Sequence, residues 1–251
     1  RPSDSYRSRL ITEQPPLSRT PEEYRTLRTN LLFKTQDENR VFVISSASPQ
    51  EGKSVTTSNL AVSMALAGQR VVLIDADLRR PRIHQIFGVN NELGLTTLLS
   101  ANPPEDPEDE SWREVLQDTN VPGLQVITSG FLPKNPAELL GSQMMKNWVA
   151  LLRERSEVDV VLFDSPPCLA MSDSTVLAAS IDAKVLLVVQ ANSTRRTAAA
   201  RAKERFLQVN AAVIGLVLNS SNLREEDYYD YAYQYYYRYE GQSTSQSPRS
   251  E

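Results

Sequence analysis

Apolar runs of strand length recur along the chain at residues 41–44, 71–74, 124–129, 158–164, 183–190 and 211–220, separated by polar turns. Between them stand stretches whose apolar residues repeat at helical spacing. Leu60, Ala61, Met64 and Ala67 form one such stretch, 194–210 a second and 172–182 a shorter one, and 135–156 reads as one or two turns leading into a helix. The run VVLI at 71–74 has no polar alternation, as expected of a central parallel strand buried on both faces. Strands alternating with helices imply an α/β fold: a mainly parallel central sheet flanked by helices.

Three stretches depart from this pattern. Residues 1–19 are polar, hold Pro2, Pro15 and Pro16, and are expected to be a linker. A helix is predicted from Thr20-Pro21-Glu22 through EEYRTLRTNLLF, because a cap residue, a proline at the first helical position and acids in the first turn are a start signal. Residues 101–112 are rich in proline and acid and are expected to form an exposed loop. From 224 to 251 the composition shifts abruptly, which predicts a flexible tail.

Composition narrows the function. With 251 residues and 40% hydrophobic content the chain can build a sizeable core. Its net charge, 27 − 31 = −4, gives no general attraction to nucleic acid. No apolar run is long enough to span a bilayer. The chain begins at Arg1 with no signal segment, so it is read as a soluble fragment of a longer protein whose other part holds any membrane segments. A single cysteine, Cys168, excludes an internal disulfide framework, and a single histidine, His84, argues against a His-based triad or a multi-His metal site.

The segment that carries chemistry lies between the first strand and the helix after it. Residues Ala47, Ser48, Pro49, Gln50, Glu51, Gly52, Lys53, Ser54 and Val55 match a P-loop except at its first position, where Ala47 replaces glycine. Backbone N–H groups at a helix start can hold phosphates there, Lys53 can reach the β/γ oxygens, and the Ser54 hydroxyl can ligate Mg²⁺. Asp75 and Asp77 follow the second strand. If the backbone stays extended, residues two apart point to one side, toward ligands at the carboxyl ends of the strands. Asp164 ends the run at 158–164 as a Walker B acid would. Asn219 ends the final strand, where an amide could read an adenine edge or simply form a turn.

Two further sets of residues stand out. Glu22, Arg25 and Arg28, spaced by three, read either as solvated ion pairs worth ~0.3–0.5 kcal/mol or as a face that meets another subunit. The tail holds eight of the ten tyrosines: Tyr228, Tyr229, Tyr231, Tyr233, Tyr235, Tyr236, Tyr237 and Tyr239. With five acids against two bases between Arg224 and Glu240, it is a poor nucleic-acid surface, and a set of phosphate acceptors at a chain end is the sharper reading.

EEYRTLR, ASPQEGKS, LIDADLRRPRIHQIFG, LFDSPP and the tyrosine cluster together resemble the bacterial tyrosine kinases, the cytoplasmic domains of polysaccharide co-polymerases, over about residues 20–240. The resemblance implies a P-loop kinase domain at 20–223 between the linker and the tail, with no kinship to eukaryotic kinases, whose HRD and DFG motifs do not occur here. It implies ATP/ADP and Mg²⁺ as cofactors, with Ser54, Asp77 and Asp164 organising the metal, Lys53 serving transfer and Asp75 accepting the tyrosine proton. It implies further that Glu22, Arg25 and Arg28 lie in the interface of a ring, an octamer in this family, whose subunits phosphorylate one another's tails. The partners implied are a membrane co-polymerase or activator segment, fused or separate, and a phosphotyrosine phosphatase, at the cytoplasmic face of the bacterial membrane; nucleic acid is not among them. Gln50 departs from the pattern, standing where a glycine is more usual. The competing readings are a partitioning or septum-placing ATPase, which carries a lysine where this chain has Ser48, and an ATP-binding scaffold without kinase activity.

Overall fold

A strand without polar alternation can bury both faces only between two layers of helices, and the strands lie there. The computed structural model describes residues 10–13, 19–35, 40–100 and 111–220. Its strands are β1 (Val41–Ser46), β2 (Val71–Asp75), β3 (Leu116–Asp118), β4 (Leu124–Ile127), β5 (Val160–Asp164), β6 (Lys184–Gln190) and β7 (Val213–Asn219). They form one sheet of order β3-β4-β2-β5-β1-β6-β7. Every neighbouring pair is parallel except β3–β4 at the edge. The helices are α1 (Arg19–Lys34), α2 (Lys53–Ala65), α3 (Ile83–Phe87), α4 (Leu95–Ser100), α5 (Pro136–Leu140), α6 (Gln143–Glu154), α7 (Asp173–Ser180) and α8 (Arg196–Leu207). All of them belong to one unit that ends at Asn219.

The period-two alternation of β1, β2 and β5 feeds two cores. Val43, Val72, Ile74 and Phe163 pack with Trp148 and Phe206 on one face, and Phe42, Ile44, Leu73 and Leu162 pack with Leu60 and Met64 of α2 on the other. Each such side chain contributes about 1.5–3 kcal/mol of burial, which holds β1, β2 and β5 buried along their full lengths. Register then decides the chemistry. Asp75 is the partner of Asp164, and Ile44 also pairs with Asp164, so the acids meet beside the end of β1.

Several elements differ from the sequence reading. The first helix starts at Arg19, and Pro21 sits within its first turn, where a backbone N–H has no intrahelical partner to lose. Leu10 and Ile11 fall in the expected linker yet are buried, and the Ile11 N–H donates to Asn59 Oδ1 of α2 at 2.8 Å. Of the expected exposed loop, residues 101–110 lie outside the described residues, whereas Trp112 is buried against the core. The short elements β3, α3 and α4 have too few residues to declare a period, and the sequence pattern assigns them no element. Among the described residues no helix is long and apolar enough to cross a membrane. The tail tyrosines lie outside the described residues.

Candidate functional site

The loop from β1 to α2 is shaped by two backbone positions. Gly52 precedes α2 with φ 83°, and Gln50 has φ 66°, so both lie in the left-handed region that favours glycine. That is the physical reason a glycine is usual at position 50. Here the strained turn is spanned by Glu51, whose Oε2 accepts the Ser48 N–H at 2.9 Å. Its other carboxylate oxygen accepts the Thr194 hydroxyl, and its backbone carbonyl accepts the Asn219 side-chain amide at 3.0 Å. Glu51 is buried, and it ties the loop to the ends of β6 and β7. Asn219 therefore contacts the loop backbone itself, a role neither sequence reading covered.

Helix α2 opens with Lys53, and its Nζ lies 2.8 Å from Asp164 Oδ1, 3.4 Å from Asp77 Oδ2 and 3.3 Å from Ser54 Oγ. Burial disfavours the charged ammonium, but Asp164 and Asp77 together outweigh it and hold its pKa above the ordinary lysine value. Asp77 is raised above the usual carboxylate range because burial outweighs the attraction of Lys53. Asp164 Oδ2 is buried with no hydrogen-bond partner among the described residues. An acceptor left open in so dry a place costs stability unless a ligand or ion uses it.

Asp75 is fully buried, and backbone donors hold both its oxygens. Oδ1 accepts the Asp77 N–H at 3.2 Å, and Oδ2 accepts those of Arg82 and Ile83 at 2.9 Å each. Burial first, and the charge of Asp164 second, push its carboxyl up to about 7. Asp77 binds the Arg80 N–H through Oδ1 at 3.1 Å, so the turn after β2 is built on these two acids. Arg79 leaves that turn to make a two-pronged pair with Asp173 at the start of α7, at 2.7 and 3.2 Å.

Lys53, Ser54, Asp75, Asp77 and Asp164 thus converge at the carboxyl ends of β2 and β5, with the loop residues Ala47 to Val55 beside them. The motif in α1 divides. Glu22 and Arg25 form an exposed pair at 2.7 Å, whereas Arg28 NH1 reaches inward to the Ser63 carbonyl at 2.8 Å. Residues three apart turn back by about 60° per step in a helix, so the third member has left the face of the first. Tyr24, Leu27 and Leu31 follow Arg28 onto α2 and its core.

Sequence reasoning missed Glu51 as a strut, Thr194, Asp173 and Asn59. Only Asp173 carried a local signal, as an acid in the first turn of a helix. The polar residues of α2 were also unexpected inside. Thr57 and Ser58 lie buried there because their hydroxyls donate to the Lys53 and Ser54 carbonyls of the preceding turn, which removes the cost of burial.

The ParA family model, described as the NUBPL iron-transfer P-loop NTPase, matches residues 38–248. The tyrosine-protein kinase YwqD of Bacillus subtilis (strain 168) is 39% identical over 223 residues, covering 88% of this chain and 90% of its own. The tyrosine-protein kinase etk of Escherichia coli (strain K12) is 34% identical over 217 residues, 86% of this chain but 28% of that protein. The chain therefore spans most of one relative and under a third of the other. The solved kinase domain of Escherichia coli tyrosine kinase ETK superposes with a TM-score of 0.72 at 33% identity, over 83% of this chain and 80% of that one. With its P-loop, strand-end acids and sheet order, the chain belongs to the bacterial tyrosine-protein kinases, a family built on the ParA-type P-loop NTPase fold.

Proposed function

We propose that the chain transfers the γ-phosphoryl group of ATP to the tail tyrosines of another copy of itself, Tyr228 to Tyr239. The observation that carries this reading is the Lys53 ammonium set between Asp77 and Asp164 at the start of a P-loop helix. The backbone donors of residues 47–55 would hold the phosphates, and Lys53 would neutralise charge gathering on the transferring group. The residues present fit a magnesium ion, since Asp164 Oδ2 is an open buried acceptor and the Ser54 hydroxyl lies beside the same lysine. When bound by Ser54, Asp77 and Asp164, that ion would supply neutralisation between the phosphates. The buried walls and the Glu51 strut keep this chemistry on a rigid frame.

The tyrosine must lose a proton, and a base works best when its pKa lies near the working pH. Asp75, at about 7, meets that condition, and the resemblance assigns it the task. Three backbone donors bind it in place, so it would act without leaving the turn it supports.

In this proposal copies assemble into a ring through the exposed Glu22–Arg25 edge of α1, at the cytoplasmic face of the bacterial membrane. A membrane co-polymerase or activator, fused or separate, would recruit them for capsule or exopolysaccharide export. Each phosphorylation adds about −1.5 to −2 charges to an already acidic tail, which would drive it from a site built of carboxylates and phosphates. A phosphotyrosine phosphatase would restore assembly. The test is mass spectrometry of purified protein after incubation with ATP and Mg²⁺, beside light scattering. Phosphotyrosine in the tail with a fall in particle size is the expected result. ATP hydrolysis without phosphotyrosine would instead indicate an assembly ATPase.

A further inference from the structure

The carboxylate end of the site poses an electrostatic problem for its proposed acceptor. Asp75, Asp77 and Asp164 are buried there with Lys53 as the cation bonded to Asp77 and Asp164, while the segment from Arg224 to Glu240 carries five acids among its tyrosines. An acidic segment approaching this end is repelled unless cations line the entrance. The turn after β2 supplies them. Its Arg79 pairs with Asp173; Arg80 and Arg82 are both exposed, and their backbone N–H groups are bonded to Asp77 and Asp75 themselves. The backbone of this turn is therefore held against the acids, and it follows β2, which lies across β5 and β1 from β6 and β7, whose ends Thr194 and Asn219 tie to the other flank of the loop. The Arg82 guanidinium lies along the outside of α3, bonded to the Gln85 side chain at 2.9 Å.

We propose that Arg80 and Arg82 are specificity-determining residues that select tyrosines flanked by acidic residues; the proposal rests on the kinase reading above. The two guanidiniums pair with carboxylates one to three residues from the acceptor, as Glu225, Glu226, Asp227 and Asp230 stand around Tyr228, Tyr229 and Tyr231. Pairing of this kind leaves the reacting groups untouched and chooses which peptide stays at the entrance.

The test uses the full-length chain with its eight tail tyrosines changed to Phe, loaded with ADP and Mg²⁺. Two fluorescent peptides are compared: residues 224–240, and the same peptide with its five acids replaced by their amides. Anisotropy should show the acidic peptide bound about five- to tenfold more tightly, and the preference should fade with added salt. Arg80→Glu with Arg82→Glu should abolish or invert the preference while ADP affinity stays within twofold. Equal binding of the two peptides by the arginine-bearing chain overturns the inference, as does a preference that survives the double reversal. The same mixtures with ATP report phosphotyrosine separately, so charge-selective binding without phosphorylation supports the entrance and counts against the kinase reading alone.

Discussion

Gly52→Ala tests the geometry of the phosphate loop at the point where it is tightest. At φ 83° an L-residue costs roughly 1–2 kcal/mol. A Cβ built there stands 1.9 Å from the Asn219 amide nitrogen and 3.2 Å from its Cγ, so Asn219 must swing out. Doing so gives up its bond to the Glu51 carbonyl, worth about 0.5–1.5 kcal/mol. Alanine returns roughly 0.4–1 kcal/mol by restricting the unfolded chain, which leaves a net loss of about 1–3 kcal/mol. For a chain of this size each kcal/mol lowers Tm by about 2–4 °C, so calorimetry should show a fall of several degrees. If the strain falls on the loop, ADP affinity should drop by about fivefold to a hundredfold in isothermal titration. The decisive comparison adds Asn219→Ala. With the amide gone the clash disappears, so Gly52→Ala should cost clearly less in that background, only the backbone strain remaining. Equal cost in both backgrounds, or unchanged Tm and affinity in the single variant, would refute the argument.

Lys53→Met should abolish phosphotransfer, measured as loss of phosphotyrosine, and should also destabilise the chain by about 3–5 kcal/mol, because Asp77 and Asp164 are left buried without their cation. Since that penalty falls on ionised carboxylates and Asp77 already holds its proton more tightly than usual, the loss of Tm should be greater near about pH 8 than near about pH 5.5. Turnover, if Asp75 is the base, should rise as pH climbs through about 7, where its carboxyl ionises, and Asp75→Asn should remove that rise. Folding raises this pKa, so the stability Asp75 contributes is greatest below about pH 4 and falls as pH rises toward 7; the Asn variant should lose that slope in thermal scans. Cys168 is fully buried and its thiol is pushed up to about 11, so a thiol reagent at neutral pH should label it only after denaturant is added.

The sequence by itself determined the layered α/β fold, because uninterrupted apolar runs and helical periodicity are local statements of which faces must be buried. It also marked the phosphate loop and the three strand-end acids, since a lysine after glycine at a helix start and acids after buried strands are visible without knowing the neighbours. Only the tertiary structure decided that Asp75 and Asp164 stand side by side, because that follows from the pairing of β2 with β5 across most of a hundred residues. It likewise decided the work of Glu51, a polar residue in a loop until Ser48, Thr194 and Asn219 are brought around it. Arg28 turned inward while Glu22 and Arg25 stayed in solvent, because a spacing of three does not hold one helix face and α2 lies on the other side. Leu10 is expected in a linker and Trp112 in an exposed loop because a lone apolar residue in a polar segment has no period, and burial then depends on a distant surface that only the folded chain supplies.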